Sequence, residues 1–202
     1  MAPSTSVFPG WTGGGNWNPS AFEPGLGYVY VTSQDLANLN KMVPSQDGTT
    51  YRRVGADDAP GNSGTRFWDG AKKWPCQQPP WGEIAAVNVN TGDIAWRSPL
   101  GSFDELDALG VSKTGTPEHR GGPIVTAGGV VFIGATIDAR FRALDAKTGK
   151  ELWVNKLVDA AKSTPITYLG KDKKQYVVIL AAGGETRGPE NPGGRLYAFA
   201  LP

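Results

Sequence analysis

The 202-residue chain has one cysteine, one histidine and two methionines. A single thiol, Cys76, excludes an internal disulfide and a cysteine-built zinc site, and within WPCQQPPWG it reads as a loop or core thiol. Neither sign of charge dominates: Lys+Arg 20 against Asp+Glu 19 leaves +1. There is no basic stripe or acidic tail, so nucleic acid and an anionic membrane surface are not indicated. No apolar run approaches the roughly 18 residues of a membrane span. The opening MAPSTSVFPGW lacks the basic and apolar regions of a secretory signal. A sustained 3.6-residue apolar period is also missing. The stretches nearest to helical are SQDLANLNKM (33–42) and SFDELDALG (102–110), both short and bounded by loops.

Glycine, proline and tryptophan are abundant: 28 Gly and 16 Pro punctuate the chain too often for long helices, and seven Trp is high for this size. Strand signals recur in GYVYVTS, GEIAAVNV, GPIVTAGGVVFIGAT, FRALDA, STPITYL, KQYVVILAAGG and GRLYAFAL. The fold class is all-β.

Two stretches align without a gap, AVNVNTGDIAW (86–96) and ALDAKTGKELW (143–153). Asn88 matches Asp145, Thr91-Gly92 matches Thr148-Gly149, and Trp96 matches Trp153, each at an offset of 57 residues. The local chemistry is that of a hairpin: Asn or Asp bonds the backbone two residues on, Thr-Gly supplies the positive-φ position, and the next strand presents a large flat indole. The gapless match favours an internal repeat over two unrelated hairpins that share a turn. Strand-forming repeats of about 40–50 residues mark propeller blades, which longer loops can stretch. The indoles are then expected to be buried between neighbouring blades.

Two matched blades with partial ones at either end do not close a ring, and closure is how propellers protect their sheet edges. GRLYAFALP stops as a strand finishes, whereas the opening residues begin in a loop. The expectation is one domain, 1–202, comprising the carboxyl-terminal blades of a longer propeller, with a long polar loop at about 43–80.

The phrases PPWGEIAAVNVNTGDIAWRSPLG, TGTPEHRGGPIVTAGGVVFIGATIDARFRALDAKTGKELW, STPITYLGKDKKQYVVILAAGG and GRLYAFALP resemble the carboxyl-terminal end of the pyrroloquinoline-quinone (PQQ) dependent dehydrogenases. The resemblance is to the group containing membrane-bound glucose dehydrogenase and its quinate and polyol relatives. GGGNWNPSAFEPGLGYVYV (13–31) resembles the family's Gly-Gly-x-Asn-Trp segment. The resemblance implies a partial β-propeller, the last blades of an eight-bladed quinoprotein ring that holds PQQ and calcium near its axis. It also implies a periplasmic parent protein that passes electrons from an alcohol, sugar or polyol hydroxyl to a quinone or cytochrome acceptor. The family's general base and most calcium ligands lie upstream of anything here, so no catalytic residue or metal ligand is assigned, and the isolated chain is expected to be inactive.

Cofactor-wall residues carry over position by position. Asn16 matches the family Asn whose amide reaches the quinone oxygens, and the plainer reading is a cap on a glycine-rich turn. Trp17 and Trp81 read as structural or pocket-lining aromatics. Arg120, directly before the glycines of TPEHRGG, is suited to a PQQ carboxylate, with an exposed loop charge as the alternative. Asp138 matches an Asp near the cofactor in glucose dehydrogenases, and equally suits a hairpin turn. His119 and Glu185 are placed at the substrate entrance. Glu185 stands where glucose dehydrogenases carry a histidine, which puts glucose in doubt as substrate, and Arg187 is near enough in sequence to neutralise it. The competing reading is a non-catalytic, protein-binding propeller scaffold with tryptophan-docking repeats, for which a cofactor-facing Asn has no use.

Overall fold

The computed structural model describes residues 4–16, 18–55, 65–69, 71–72, 74–183 and 193–200; Trp17, Glu185 and Arg187 lie outside this set. In chain order the strands are β1 (Thr5–Val7), β2 (Ala21–Glu23), β3 (Tyr28–Gln34), β4 (Asn38–Pro44), β5 (Tyr51–Gly55), β6 (Thr65–Arg66), β7 (Gly82–Asn88) and β8 (Ile94–Pro99). A short helix α1 (Asp104–Ala108) follows, then β9 (Ile124–Val125), β10 (Val130–Ile133), β11 (Arg140–Asp145), β12 (Glu151–Lys156), β13 (Ile166–Leu169), β14 (Gln175–Ala181) and β15 (Arg195–Ala200).

Three of the sheets are blade-like: β2-β3-β7-β8, β9-β10-β11-β12 and β13-β14-β15. Their pairings are antiparallel throughout. In a fourth sheet, β4, β5 and β6, inserted between β3 and β7 of the first blade, are joined by the amino-terminal strand β1, which like β5 and β6 pairs with β4. No sheet closes on itself among the described residues. Strand position explains burial. The third strands, β7 and β11, are buried over most of their length, and β11 meets sheets on both sides, the first through Leu144 and the third through Phe141. The outermost strand β12 is exposed almost throughout.

The core lies between the blades. Tyr30, Ile84 and Ala86 of the first sheet pack against Val131, Ile133 and Leu144 of the second. Phe141 of the second meets Val177, Ile179 and Ala181 of the third.

The sequence repeat is reproduced in the strand pairing. Ala86 faces Trp96 across β7–β8 and Ala143 faces Trp153 across β11–β12, with a register shift after each alanine. In the second turn Asp145 Oδ1 accepts from the backbone N–H of Lys147 and Thr148 and from the Thr148 hydroxyl. The Thr148 hydroxyl, first among these contacts, holds the Asp145 carboxyl below its usual value. The first turn repeats part of this pattern, Asn88 Oδ1 accepting from Asn90 N–H at 2.9 Å.

Trp96 docks on the turn of the next blade. Its indole N–H donates to Ala146 O at 3.0 Å, its ring lies 5.9 Å from that of Tyr30, and a Cβ on Gly149 would sit 2.5 Å from the indole. Trp153 is less covered than the repeat led one to expect. It meets Phe199 and Phe141 edge-on at 5.0 and 6.1 Å, yet stays 36% exposed. Trp96 gains its cover from the β11–β12 turn; among the described residues of the third sheet, β13-β14-β15, it is the Phe199 ring that meets Trp153.

The stretch 102–110 contains α1, but 33–42 is extended, as the end of β3 and most of β4. Asn38 is completely buried there, accepting Trp11 N–H at 3.0 Å. The polar stretch expected as a loop at about 43–80 contributes β5 and β6, both paired to β4.

Gly92 and Gly149 test the docking. Both have positive φ, +81° and +73°, but a Cβ at Gly92 meets nothing within 4 Å. Gly92→Ala is expected to cost about 1 kcal/mol, the left-handed penalty alone. Gly149→Ala is expected to cost about 2–4 kcal/mol, because pressing on the indole adds an overpacking cost. Equal losses in urea unfolding of the two variants would show that Trp96 is not seated on this turn.

Candidate functional site

Loops from several elements converge on a small cleft of about 50 Å³. Thr12 and Asn16 come from the β1–β2 loop, Gln34 from the end of β3, Arg66 from β6, and Glu118, His119 and Arg120 from the loop before β9. That last loop is pinned by hydrogen bonds. Trp81 N–H donates to Thr114 O, Thr116 N–H to Leu100 O, and Arg120 N–H to Ala135 O, at 2.7 to 2.9 Å. His119 N–H donates to Gln34 Oε1, and Asn18 Nδ2 donates to His119 O, both at 3.2 Å.

His119 lines the cleft but is only 4% exposed. Its ring lies over Gly82, where a Cβ would come within 2.4 Å of Nε2, so the glycine of PPWG is what admits the imidazole. Nε2 lies 3.2 Å from Leu100 O. That contact requires a donor, so Nε2 carries the proton and Nδ1 is the bare nitrogen, buried without a partner among the described residues. Burial pushes the His119 pKa down to about 4, against the raising effects of the Leu100 carbonyl and Asp138, while Arg142 lowers it further. The ring is neutral at pH 7.

Asn16 is exposed, and its Nδ2 donates to Thr12 O at 3.0 Å. It therefore caps the glycine-rich turn while lining the cleft. The Arg120 guanidinium is exposed and has no ion pair or hydrogen bond among the described residues. Arg66 and Glu118, which sequence reasoning did not single out, complete the cleft. Arg66 Nη2 meets Glu118 Oε1 at 3.1 Å, Nη1 donates to Thr12 Oγ1 at 3.4 Å, and the guanidinium lies 5.0 Å from the Trp11 ring centroid. Glu118 was visible in TPEHRGG. Arg66 lay in a stretch that read only as polar loop, with no local signal.

Asp138 is not brought into this cleft. Its side chain is 1% exposed and committed to this chain's own groups. Oδ1 accepts from Thr136 Oγ1 at 2.5 Å and Arg140 N–H at 3.1 Å, while Oδ2 accepts from Ser102 N–H at 3.0 Å and from Arg142 Nη2. Burial alone would raise this carboxyl, but Arg142 facing it, with Thr136 and Arg140, holds it below its usual value. Asp138 sits in the turn between β10 and β11 as a buried anion that joins the loop after β8 to β11. A larger cavity of about 470 Å³ lies between β8 and β12, lined by Arg97, Lys113, Arg140, Arg142 and Glu151. Arg140 and Arg142 there are paired with Asp104, Asp138 and Glu151, which makes this space an ion-paired seam between blades.

Residues 2–177 match the family model described as "PQQ: Glucose/ethanol/alcohol dehydrogenase, beta-propeller domain". The chain belongs to the PQQ-dependent dehydrogenase family. Similar members are the quinate/shikimate dehydrogenase (quinone) of Acinetobacter baylyi, 34% identical over 99% of this chain and 27% of the relative, and quinoprotein glucose dehydrogenase A of Acinetobacter calcoaceticus, 33% identical over 98% and 26%. Among solved structures a europium-containing methanol dehydrogenase superposes with a TM-score of 0.67 at 26% identity, covering 98% of this chain and 35% of the other. The chain thus spans about a quarter of the length of the curated relatives it matches.

The cleft fits part of a family cofactor. The Asn16 amide and Arg120 guanidinium are the donor types that suit quinone oxygens and carboxylates. A space of about 50 Å³ is far below the roughly 300–1,000 Å³ that encloses a small organic ligand, so it has room for no more than one edge of such a group. Among the described residues no group of three or more His, Cys, Asp or Glu is placed to hold a metal ion. Glu185 lies outside the described residues.

Two measurements check the electrostatics. His119 takes up a proton near pH 6.5 when unfolded but only near pH 4 when folded, so acid favours unfolding across that window. Between pH 7.5 and 5 this residue is expected to account for about 2 kcal/mol of lost stability, absent from His119→Gln in urea titrations at the two pH values. Asp138→Asn leaves Arg142 buried without its main partner and is expected to cost about 3–5 kcal/mol by thermal unfolding. A loss under 1 kcal/mol would mean that this ion pair is not formed.

Proposed function

We propose that this chain supplies one wall of the PQQ site of a dehydrogenase that oxidises an alcohol, sugar or polyol hydroxyl to a carbonyl. The observation that carries the reading is the meeting of Asn16 and Arg120, 104 residues apart in sequence, in one cleft of a chain belonging to this family. PQQ, when bound, supplies the capacity to accept a hydride equivalent from the carbinol carbon. The chain's own residues bind and orient. The Asn16 amide offers both a donor and an acceptor to a group that changes between carbonyl and hydroxyl. Arg120 presents an unpaired planar cation to a carboxylate. His119, neutral and packed over Gly82, fixes the loop that carries Arg120 and excludes water behind it.

Calcium belongs to the same proposal, with its ligands mostly outside this chain. So do a quinone or cytochrome electron acceptor, a periplasmic location, and Glu185 at the substrate entrance. Asp138 and His119 are assigned supporting roles, since neither side chain is open to a ligand. In the family the general base lies in the part of the propeller that this chain does not span, so no residue here takes that role. One of the relatives is named for quinate and shikimate and another for glucose, so acidic and neutral polyols both remain within the substrate class.

The purified chain, given PQQ, calcium ions and glucose, quinate or ethanol, is expected to reduce no artificial dye. Titrated with PQQ and followed by tryptophan fluorescence, it is expected to show saturable quenching. Asn16→Ala and Arg120→Ala should each weaken that binding about 5- to 30-fold, near 1–2 kcal/mol for a lost ligand hydrogen bond. Binding unaltered in the double variant, or substrate-dependent turnover by the isolated chain, overturns the assignment.

A further inference from the structure

The charge inside the cleft is unbalanced. Arg66 and Arg120 both line it, Glu118 is the one carboxylate among the lining residues, and His119 is neutral. Arg66 is held from several sides: the Trp11 face at 5.0 Å, Thr12 Oγ1 at 3.4 Å and Glu118 Oε1 at 3.1 Å, with its side chain 16% exposed. The Arg120 guanidinium is exposed, with no partner among the described residues. Glu118 reaches Arg66 from a backbone with φ +61°, a conformation disfavoured for a residue with a Cβ. Its side chain is 31% exposed, so it can leave Arg66 for water without crossing a packed interior.

We propose that Arg66 and Arg120 form a carboxylate-binding site in which Glu118 is a resident, displaceable carboxylate. In the ligand-free chain Glu118 occupies the Arg66 guanidinium. A carboxylate-bearing ligand takes its place, spanning Arg66 and Arg120, and Glu118 swings into solvent. The exchange replaces one charge-assisted pair by another while also compensating Arg120, so it favours anionic ligands over neutral ones of the same size. The cleft volume suits a single carboxylate group and not a whole ring system.

Resting on the dehydrogenase reading above, this assigns the substrate class as an alcohol that also bears a carboxylate, a hydroxy acid in preference to a neutral sugar. The cofactor carries carboxylates as well, and the shared chemistry is what the two arginines recognise. Arg66 is then a specificity-determining residue, and Glu118 sets the threshold that a ligand carboxylate must exceed.

The test is calorimetric titration of the 202-residue chain at low salt with quinate, with PQQ and with glucose, repeated on Glu118→Gln, Arg66→Gln and Arg120→Gln. Quinate is expected to bind and glucose not. Glu118→Gln, which keeps the shape and removes the competing charge, is expected to tighten carboxylate binding about 5- to 10-fold. Arg120→Gln, a change at an exposed group that leaves the fold alone, is expected to weaken it at least 5-fold. Arg66→Gln should do the same and also alter the fluorescence of Trp11; if that variant unfolds, Arg120→Gln carries the comparison. Tightening by Glu118→Gln for quinate alone places the hydroxy-acid substrate in the cleft. Tightening for PQQ alone places the cofactor edge there and removes the substrate assignment. Equal binding of glucose, no carboxylate binding to either wild type or Glu118→Gln at 50 mM ligand, or an unchanged or weakened Glu118→Gln, overturns the proposal. PQQ binding that ignores Glu118→Gln sinks this inference and leaves the PQQ reading standing. Quinate binding sharpened by Glu118→Gln, with no PQQ binding at all, does the reverse.

Discussion

The seating of the Trp96 indole on the Ala146–Gly149 turn is the contact on which the rest of the arrangement depends. One indole spans the gap between two sheets, donates its N–H to a carbonyl of the next blade and stacks on a glycine that has no side chain to hold it off. Its ring also covers Tyr30, whose hydroxyl donates to the same Ala146 carbonyl. Two aromatic donors from the first blade thereby converge on a single acceptor in the second. Burial, neighbouring carboxylate Glu23 and other nearby acids push the Tyr30 hydroxyl up to about 12, so it remains a donor at any working pH. This joint ties the first blade to the second beside the apolar cluster of Ile84, Ala86, Val131, Ile133 and Leu144.

Those loops use charge in two opposite ways. Around Asp138 every strong group has a partner: Arg142 and Arg140 face it, Arg140 also reaches Asp104, and Lys156 closes on Asp104 from β12. The cluster ties the loop after β8 and α1 to the second blade, and its members have little capacity left for a ligand. In the cleft the balance is left open, with two guanidinium groups, one carboxylate and a histidine kept neutral by burial. Residues that hold the blades together are satisfied by one another, whereas the Arg120 guanidinium in the cleft has no partner among the described residues.

The inserted sheet gives the cleft a wall that the blades alone lack. β6 carries Arg66 to the cleft by pairing with β4, and β4 is anchored by Asn38, completely buried and bonded to Trp11 N–H. Trp11 in turn lies against Arg66 and, at 5.8 Å, Arg53, so the insertion and the amino-terminal loop clasp each other through one aromatic ring.

Much of the blade architecture was legible in the chain itself. Asp145, Thr148, Gly149 and Trp153 act within a few residues of one another, so their order in sequence specifies the turn, and the gapless copy at 88–96 specifies that the unit recurs. The all-β class and the shared location of Asn16 and Arg120 were likewise within reach of sequence and family resemblance. The fate of Asp138 was not: a turn Asp and a ligand Asp look alike until Arg142 and Ser102 are seen to consume its oxygens. Nor could the sequence reveal Arg66, whose place depends on a two-residue strand pairing far from its neighbours in the chain, or the unequal cover of Trp96 and Trp153. Local hydrogen-bonding chemistry is written in residue order and survives any packing. Which charges pair, and which indole finds a turn to sit on, is set by segments that meet only when sheets stack, and that was decided by the tertiary structure.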